Sequence, residues 1–122
     1  MLAEAARARG EDEESIKKSR EAPLRAPLLV AVATRHQDHP KVPKLEQELS
    51  AGCALMAMQM AAQAQGFNGI WRSGWFIFDE RVNAGLGLAP ADQLVGFLYL
   101  GTPMLEARKL RELPLNEFIR HF

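Results

Sequence analysis

Cysteine is nearly missing from this chain: Cys53 stands alone, so no internal disulfide can close. It lies inside an apolar helical pattern, where a lone thiol is expected to pack as a small hydrophobe. Net charge is missing too. Fifteen basic residues balance fifteen acidic ones, which removes the positive field that would hold a nucleic-acid backbone or an anionic membrane surface. Long hydrophobic runs are also lacking. The longest apolar stretch, from Ala51 to Ala64, contains Gln59 and Gln63 and is too short to cross hydrocarbon. The N-terminal residues are rich in Ala, Arg and Glu and have no apolar centre of a secretory signal, so the cytoplasm is the expected location. Neither internal repeats nor a low-complexity linker interrupt the chain.

What remains is the composition of a globular protein, 48% hydrophobic and 25% charged over 122 residues, enough for one core. Residues 1–122 read as a single domain. Leu2 to Arg9 is made of good helix formers ended by Gly10, but opens without a capping residue. Glu11 to Arg20 reads as a charged surface helix, with acids in its first turn and Lys17, Lys18 and Arg20 in its last, as the helix dipole favours. Pro23 and Pro27 end that pattern. Leu28 to Thr34 and Leu94 to Leu100 are continuous apolar runs, the mark of strands buried on both faces, and a shorter strand is expected from Gly69 to Ser73. Long helices between such strands give an α+β or α/β sheet covered by helices.

Lys44 to Gln65 predicts one long helix, free of proline and stopped by Gly66. At about 1.5 Å per residue it reaches roughly 33 Å. Leu49, Cys53, Leu55, Met56, Met58 and Met60 do not share one stripe, so most of its circumference needs cover that the chain's few other elements can hardly supply. A second subunit or further sequence is expected to provide it. Asp79 is placed to cap a short helix to Gly85, and Met104 to Phe122 reads as a short helix followed by an arm.

Most chemically suggestive groups have a plain structural reading. His36, Asp38 and His39 resemble a metal set, but they lie in a polar connection before Pro40 without a fourth ligand, and loop histidines are usually solvated. Gly85-Leu-Gly87 lacks the strand and helix of a dinucleotide fingerprint and reads as a turn. Ser19, Ser50 and Ser73 have no nucleophile elbow around them. The methionines at 56, 58 and 60 read as core filler, or as an adaptable subunit interface. Trp71-Arg72-Ser73-Gly74-Trp75 differs in placing an aromatic face, a fixed cation and small residues directly after a helix stop, which suits a planar ligand with negative charge or carbonyl groups. Taken alone the stretch stays open, since a strand tryptophan is usually core and an arginine usually a surface ion pair.

The block from Glu46 to Gly74, EQELSAGCALMAMQMAAQAQGFNGIWRSG, together with Val95 to Pro103, VGFLYLGTP, closely resembles the bacterial nitroreductase family, in particular its short NAD(P)H nitroreductases. The resemblance runs over essentially the whole chain. It implies an α+β, FMN-dependent nitroreductase-like fold, dimeric through the long central helix, with FMN at the subunit interface. It further implies transfer of electrons from NADH or NADPH through the flavin to nitro, quinone or related acceptors. Carried over by position, Trp71, Arg72 and Ser73 match the flavin-contacting segment, and Ala61, Ala62, Gln63, Ala64, Gln65 and Gly66 match the nicotinamide-nucleotide segment. No residue is assigned as catalytic and no metal is implied. The family's N-terminal Arg-Arg-Ser type motif for the FMN phosphate has no counterpart here, so the chain reads as the C-terminal two thirds of such an enzyme, with FMN held more weakly than by a full-length relative. Arg108 and Lys109 are candidate phosphate partners from the tail. The competing reading is a non-catalytic dimerisation fragment that keeps the interface helix and has lost the flavin.

Overall fold

A computed structural model describes residues 1–106, 109 and 111–121. Helices α1 (Leu2–Ala8) and α2 (Glu13–Glu21) and a tight helical turn at Ala22–Arg25 lead into strand β1 (Leu28–Thr34). The long helix α3 (Lys44–Ala64) follows, then strand β2 (Asn68–Arg72), a second tight turn at Trp75–Phe78, helix α4 (Glu80–Gly85) and strand β3 (Gln93–Gly101). The fold is α+β: the three strands form one antiparallel sheet in the order β1-β3-β2, with helices on both faces.

Local chemistry sets the boundaries. The Asp12 carboxylate accepts the Ser15 N–H at 2.7 Å and caps α2, and Asp79 accepts the N–H groups of Arg81 and Val82 to cap α4. The last turn of α3 closes as expected at Gly66, whose φ of 85° is costly for any residue with a Cβ. Gly66 N–H donates to Gln63 and Phe67 N–H to Ala62, which satisfies carbonyls that would otherwise be orphaned. Gly87 takes the same left-handed form after α4, so Gly85-Leu-Gly87 is a helix stop.

The Ser15 N–H holds the Asp12 carboxyl below the usual aspartate range. A lowered folded-state pKa means that the cap contributes fully above the unfolded value and is lost as pH falls through the folded one. Asp12→Asn, which keeps a capping oxygen without the charge, is expected to flatten the acid limb of helicity followed by circular dichroism. An unchanged acid limb would show that Asp12 does not couple α2 to pH.

Strand β3 is central and buried, with Leu94, Phe97, Leu98 and Tyr99 all inside. Alternation sends Leu98 to the α3 side and Phe97 and Tyr99 to the other. Val32 lies opposite Gly96 but Ala33 opposite Leu94, so a bulge at Val95 flips the alternation and brings Leu94 into the cluster of Leu2, Ala5, Val82, Phe97 and Tyr99.

Four expectations are corrected. β1 is an edge strand and only half-buried, with Leu28 54% exposed; a continuous apolar run does not distinguish a centre from an edge. Cys53 is exposed, because it lies on a flank of α3, off the side on which Leu55 and Ala62 are buried, where it borders an open cleft. The short strand begins at Asn68 and ends at Arg72, one residue earlier than expected. In the tail the described residues show only a tight turn at Leu115–Glu117 in place of a helix.

Candidate functional site

Because β2 is a strand, Trp71 and Arg72 point to opposite faces of the sheet. Trp71 pairs across the ladder with Leu98 and turns toward α3, while Arg72 pairs with Phe97 and turns toward the α1 and α2 side. The aromatic face and the cation are therefore separated, not adjacent. Nor is Arg72 enclosed by two tryptophans, since the Trp75 ring is covered by the Arg9 guanidinium at 4.7 Å. Ser73 is exposed at the end of the strand.

Arg72 opens into a cleft of about 690 Å³ beside Asn68, Ile70, Tyr99, Thr102 and Met104, with Arg25 on its wall. That volume falls within the roughly 300–1,000 Å³ of small-molecule sites. Both arginines are exposed, and neither makes an ion pair with a carboxylate among the described residues. No Asp or Glu lines the described cleft. In a chain of zero net charge, two uncompensated guanidinium groups over an apolar and aromatic floor form a local positive site suited to an anion on a planar body. Arg25 stands out in no motif; the turn after α2 carries it there.

Ala61 to Gly66 forms the C-terminal end of α3. Of these residues Ala62 is buried and lines a smaller cleft of about 170 Å³, which shares Pro27, Leu100, Gly101 and Thr102 with the Arg72 cleft. The other five are exposed. The structure thus brings Ala62 to the rim of the Arg72 site but leaves Trp71 on the far side of the sheet. Trp71 instead borders an apolar cleft of about 470 Å³ with Leu49, Cys53 and Met56 of α3 and with Phe78. Lys109 is exposed, and Arg108 lies outside the described residues.

The histidines are engaged in the chain itself. The His36 side chain is only 8% exposed, with Nδ1 against the Ala91 carbonyl and Nε2 3.0 Å from Glu48 without the alignment of a hydrogen bond, which corrects the reading of a solvated loop histidine. His39 Nδ1 accepts the N–H groups of Lys41 and Val42. No group of three His, Cys, Asp or Glu suited to a metal occurs among the described residues.

A model of the Nitroreductase family matches residues 2–102. The chain belongs to that family. A relative named "Putative NAD(P)H nitroreductase YdjA" in Escherichia coli strain K12 is 51% identical over 123 residues, covering 100% of this chain and 67% of that protein. A "Putative NAD(P)H nitroreductase" of Haemophilus influenzae is 34% identical over 111 residues, covering 89% of this chain and 60% of its own length. Among solved structures, the nitroreductase-like family protein of Bacillus cereus superposes with a TM-score of 0.79 at 20% identity, over 99% of this chain and 66% of that one. NfnB of Sphigopyxis sp. strain HMH, described as an FMN and NADPH-dependent nitroreductase, gives 0.65 at 21% identity, over 98% and 55%. The chain therefore spans about two thirds or less of the nitroreductase-family proteins it matches, with an oxidoreductase's fold and family. No helix among the described residues is long and apolar enough to cross a membrane.

Proposed function

We propose that this nitroreductase-family chain is an FMN-dependent NAD(P)H oxidoreductase that reduces nitro, quinone or related acceptors in the cytoplasm. The observation that carries the reading is the cleft holding Arg25 and Arg72 without a facing carboxylate, in a chain 51% identical to a named NAD(P)H nitroreductase. The residues fit the group: Arg72 and Arg25 would hold its anionic part, and the exposed Ile70 offers apolar surface to its flat ring system. When bound, FMN supplies the redox chemistry between a nicotinamide donor and the acceptor. The chain's residues bind and orient. Arg72 and Arg25 place positive charge where negative charge collects, and cannot lose it by deprotonation. Ala61 to Gly66 would meet the nicotinamide nucleotide at the C-terminal end of α3, whose partial negative charge disfavours its phosphates. The test is steady-state oxidation of NADH and of NADPH with a nitroaromatic and with a quinone, with and without added FMN. Turnover that depends on both protein and FMN is expected; turnover at the rate of free FMN leaves the chain without the activity.

The second element of the proposal is a homodimer. Leu45, Leu49, Met56 and Met60 follow one side of α3 at helical spacing and are all exposed, and apolar residues gathered on one helix surface mark a contact site. Light scattering at dilute concentration is expected to give twice the chain's mass, and Met56→Glu with Met60→Glu to return it to the monomer. A monodisperse, folded monomer of the unmodified chain contradicts this element. A stable dimer that never binds FMN would favour the non-catalytic dimerisation reading.

A further inference from the structure

Trp71 is seated by two glycines from different elements. A Cβ at Gly96 of β3 would overlap the indole Nε1, stand 2.8 Å from its Cδ1 and lie 2.9 Å from the Arg72 carbonyl oxygen. At Gly52, in the middle of α3, a Cβ would stand 3.3 Å from the indole Cη2. Carbon atoms in contact normally keep about 3.5–4.0 Å, so the ring fills a slot that exists because both positions lack a side chain. Gly52 is otherwise costly, since glycine inside a helix is a poor helix former.

The slot matters because β2 has little else to hold it. It is an edge strand that pairs in the sheet with β3 alone, tied to α3 by a hydrogen bond from Gln59 Nε2 to the Gly69 carbonyl at 3.2 Å, and four of its five residues are exposed. Seating the Trp71 ring on the α3 face fixes which way the strand turns, and alternation then aims Arg72 into the opposite cleft. We propose that Gly96 and Gly52 are positioning residues of the ligand site: by receiving the Trp71 indole they hold the end of β2 so that the Arg72 guanidinium stays in its cleft. The link to ligand affinity rests on the flavin reading; the slot itself does not.

The test compares wild type, Gly96→Ala, Trp71→Ala and the double variant, by thermal stability and by FMN titration. Trp71 emission is taken as the difference between wild type and Trp71→Phe. Gly96→Ala is expected to shift Trp71 emission to the red and to weaken FMN binding about ten-fold, the lower end of what one hydrogen bond to a charged group is worth. In the Trp71→Ala background the same substitution is expected to cost much less stability, leaving only the conflict with the Arg72 carbonyl. Val82→Ala is the control: it lowers stability through the other core cluster and leaves the affinity of folded protein unchanged. Should Gly96→Ala fail to fold, Gly52→Ala serves. It improves the helix, so it is expected to keep stability while still shifting Trp71 emission and lowering FMN affinity. Equal stability costs of Gly96→Ala in both backgrounds, with unchanged Trp71 emission, overturn the slot. A coupled stability cost with unchanged FMN affinity overturns the positioning role. If wild type binds no FMN at all, the flavin reading fails and with it the positioning role, while stability coupling and emission still decide the slot.

Discussion

Replacing Arg25 and Arg72 together by alanine is expected to lower FMN affinity about 100-fold, and each single replacement about ten-fold. A hydrogen bond to a charged group is worth about 1.5–3 kcal/mol, and the lower end applies because both guanidinium groups are exposed to screening water. The two effects should add if each arginine holds the anion separately, and fall short of the product if they share one oxygen. The arginine reading also requires affinity to fall with rising salt, and the slope to be shallower in the double variant. Arg20→Ala, on an exposed face of α2, removes the same charge away from the cleft and should leave affinity nearly unchanged. A flavin fluorescence titration of these variants decides the matter. If the Arg20 variant loses as much as the Arg72 variant, general charge is responsible and the cleft has no special role.

Leu98→Ala is expected to destabilise the fold by about 2–5 kcal/mol, the range for deleting a buried leucine where neighbours cannot collapse into the space. Leu98 is fully buried in the central strand, under α3 and beside Trp71. Small domains keep only about 5–15 kcal/mol in total, so the melting temperature should fall by on the order of 10–20 °C. Leu28→Ala makes the same chemical change at the edge, where the side chain is already exposed, and should cost about 1 kcal/mol or less. In the sequence the two leucines sit in equally apolar runs. Comparable losses would mean that β1 is covered in solution by something absent from the isolated chain, such as a second copy.

That pair shows what the sequence could and could not disclose. Helix α3 was legible because its composition, lack of proline and Gly66 stop are local properties, and β3 because its apolar run does lie at the centre. The burial of β1 was not legible: edge or centre is decided by which strand enters the sheet last, a long-range fact. The exposure of Cys53 has the same origin, since an apolar helix with no single stripe does not declare which side meets the sheet. The opposite faces of Trp71 and Arg72 were available in principle, because adjacent residues of any strand diverge, but grouping the stretch as one motif hid the alternation. Arg25 left no local trace. It is a lone basic residue before a strand, brought to Arg72 by the turn at Ala22–Arg25, and only the folded arrangement makes it a candidate. His36 likewise reads as a loop residue until Ala91, far along the chain, closes over it.

The central claim is that this nitroreductase-family chain holds FMN in the arginine cleft and takes up electrons from a nicotinamide nucleotide through it. The most direct measurement is anaerobic: the chain is mixed with FMN, flavin fluorescence is followed to saturation, and NADH or NADPH is then added while the visible flavin absorption is recorded. Saturable quenching is expected, then bleaching at a rate proportional to protein, both sharply reduced in the Arg25→Ala, Arg72→Ala double variant. Fluorescence that never departs from that of free FMN, with bleaching no faster than without protein, would contradict that claim.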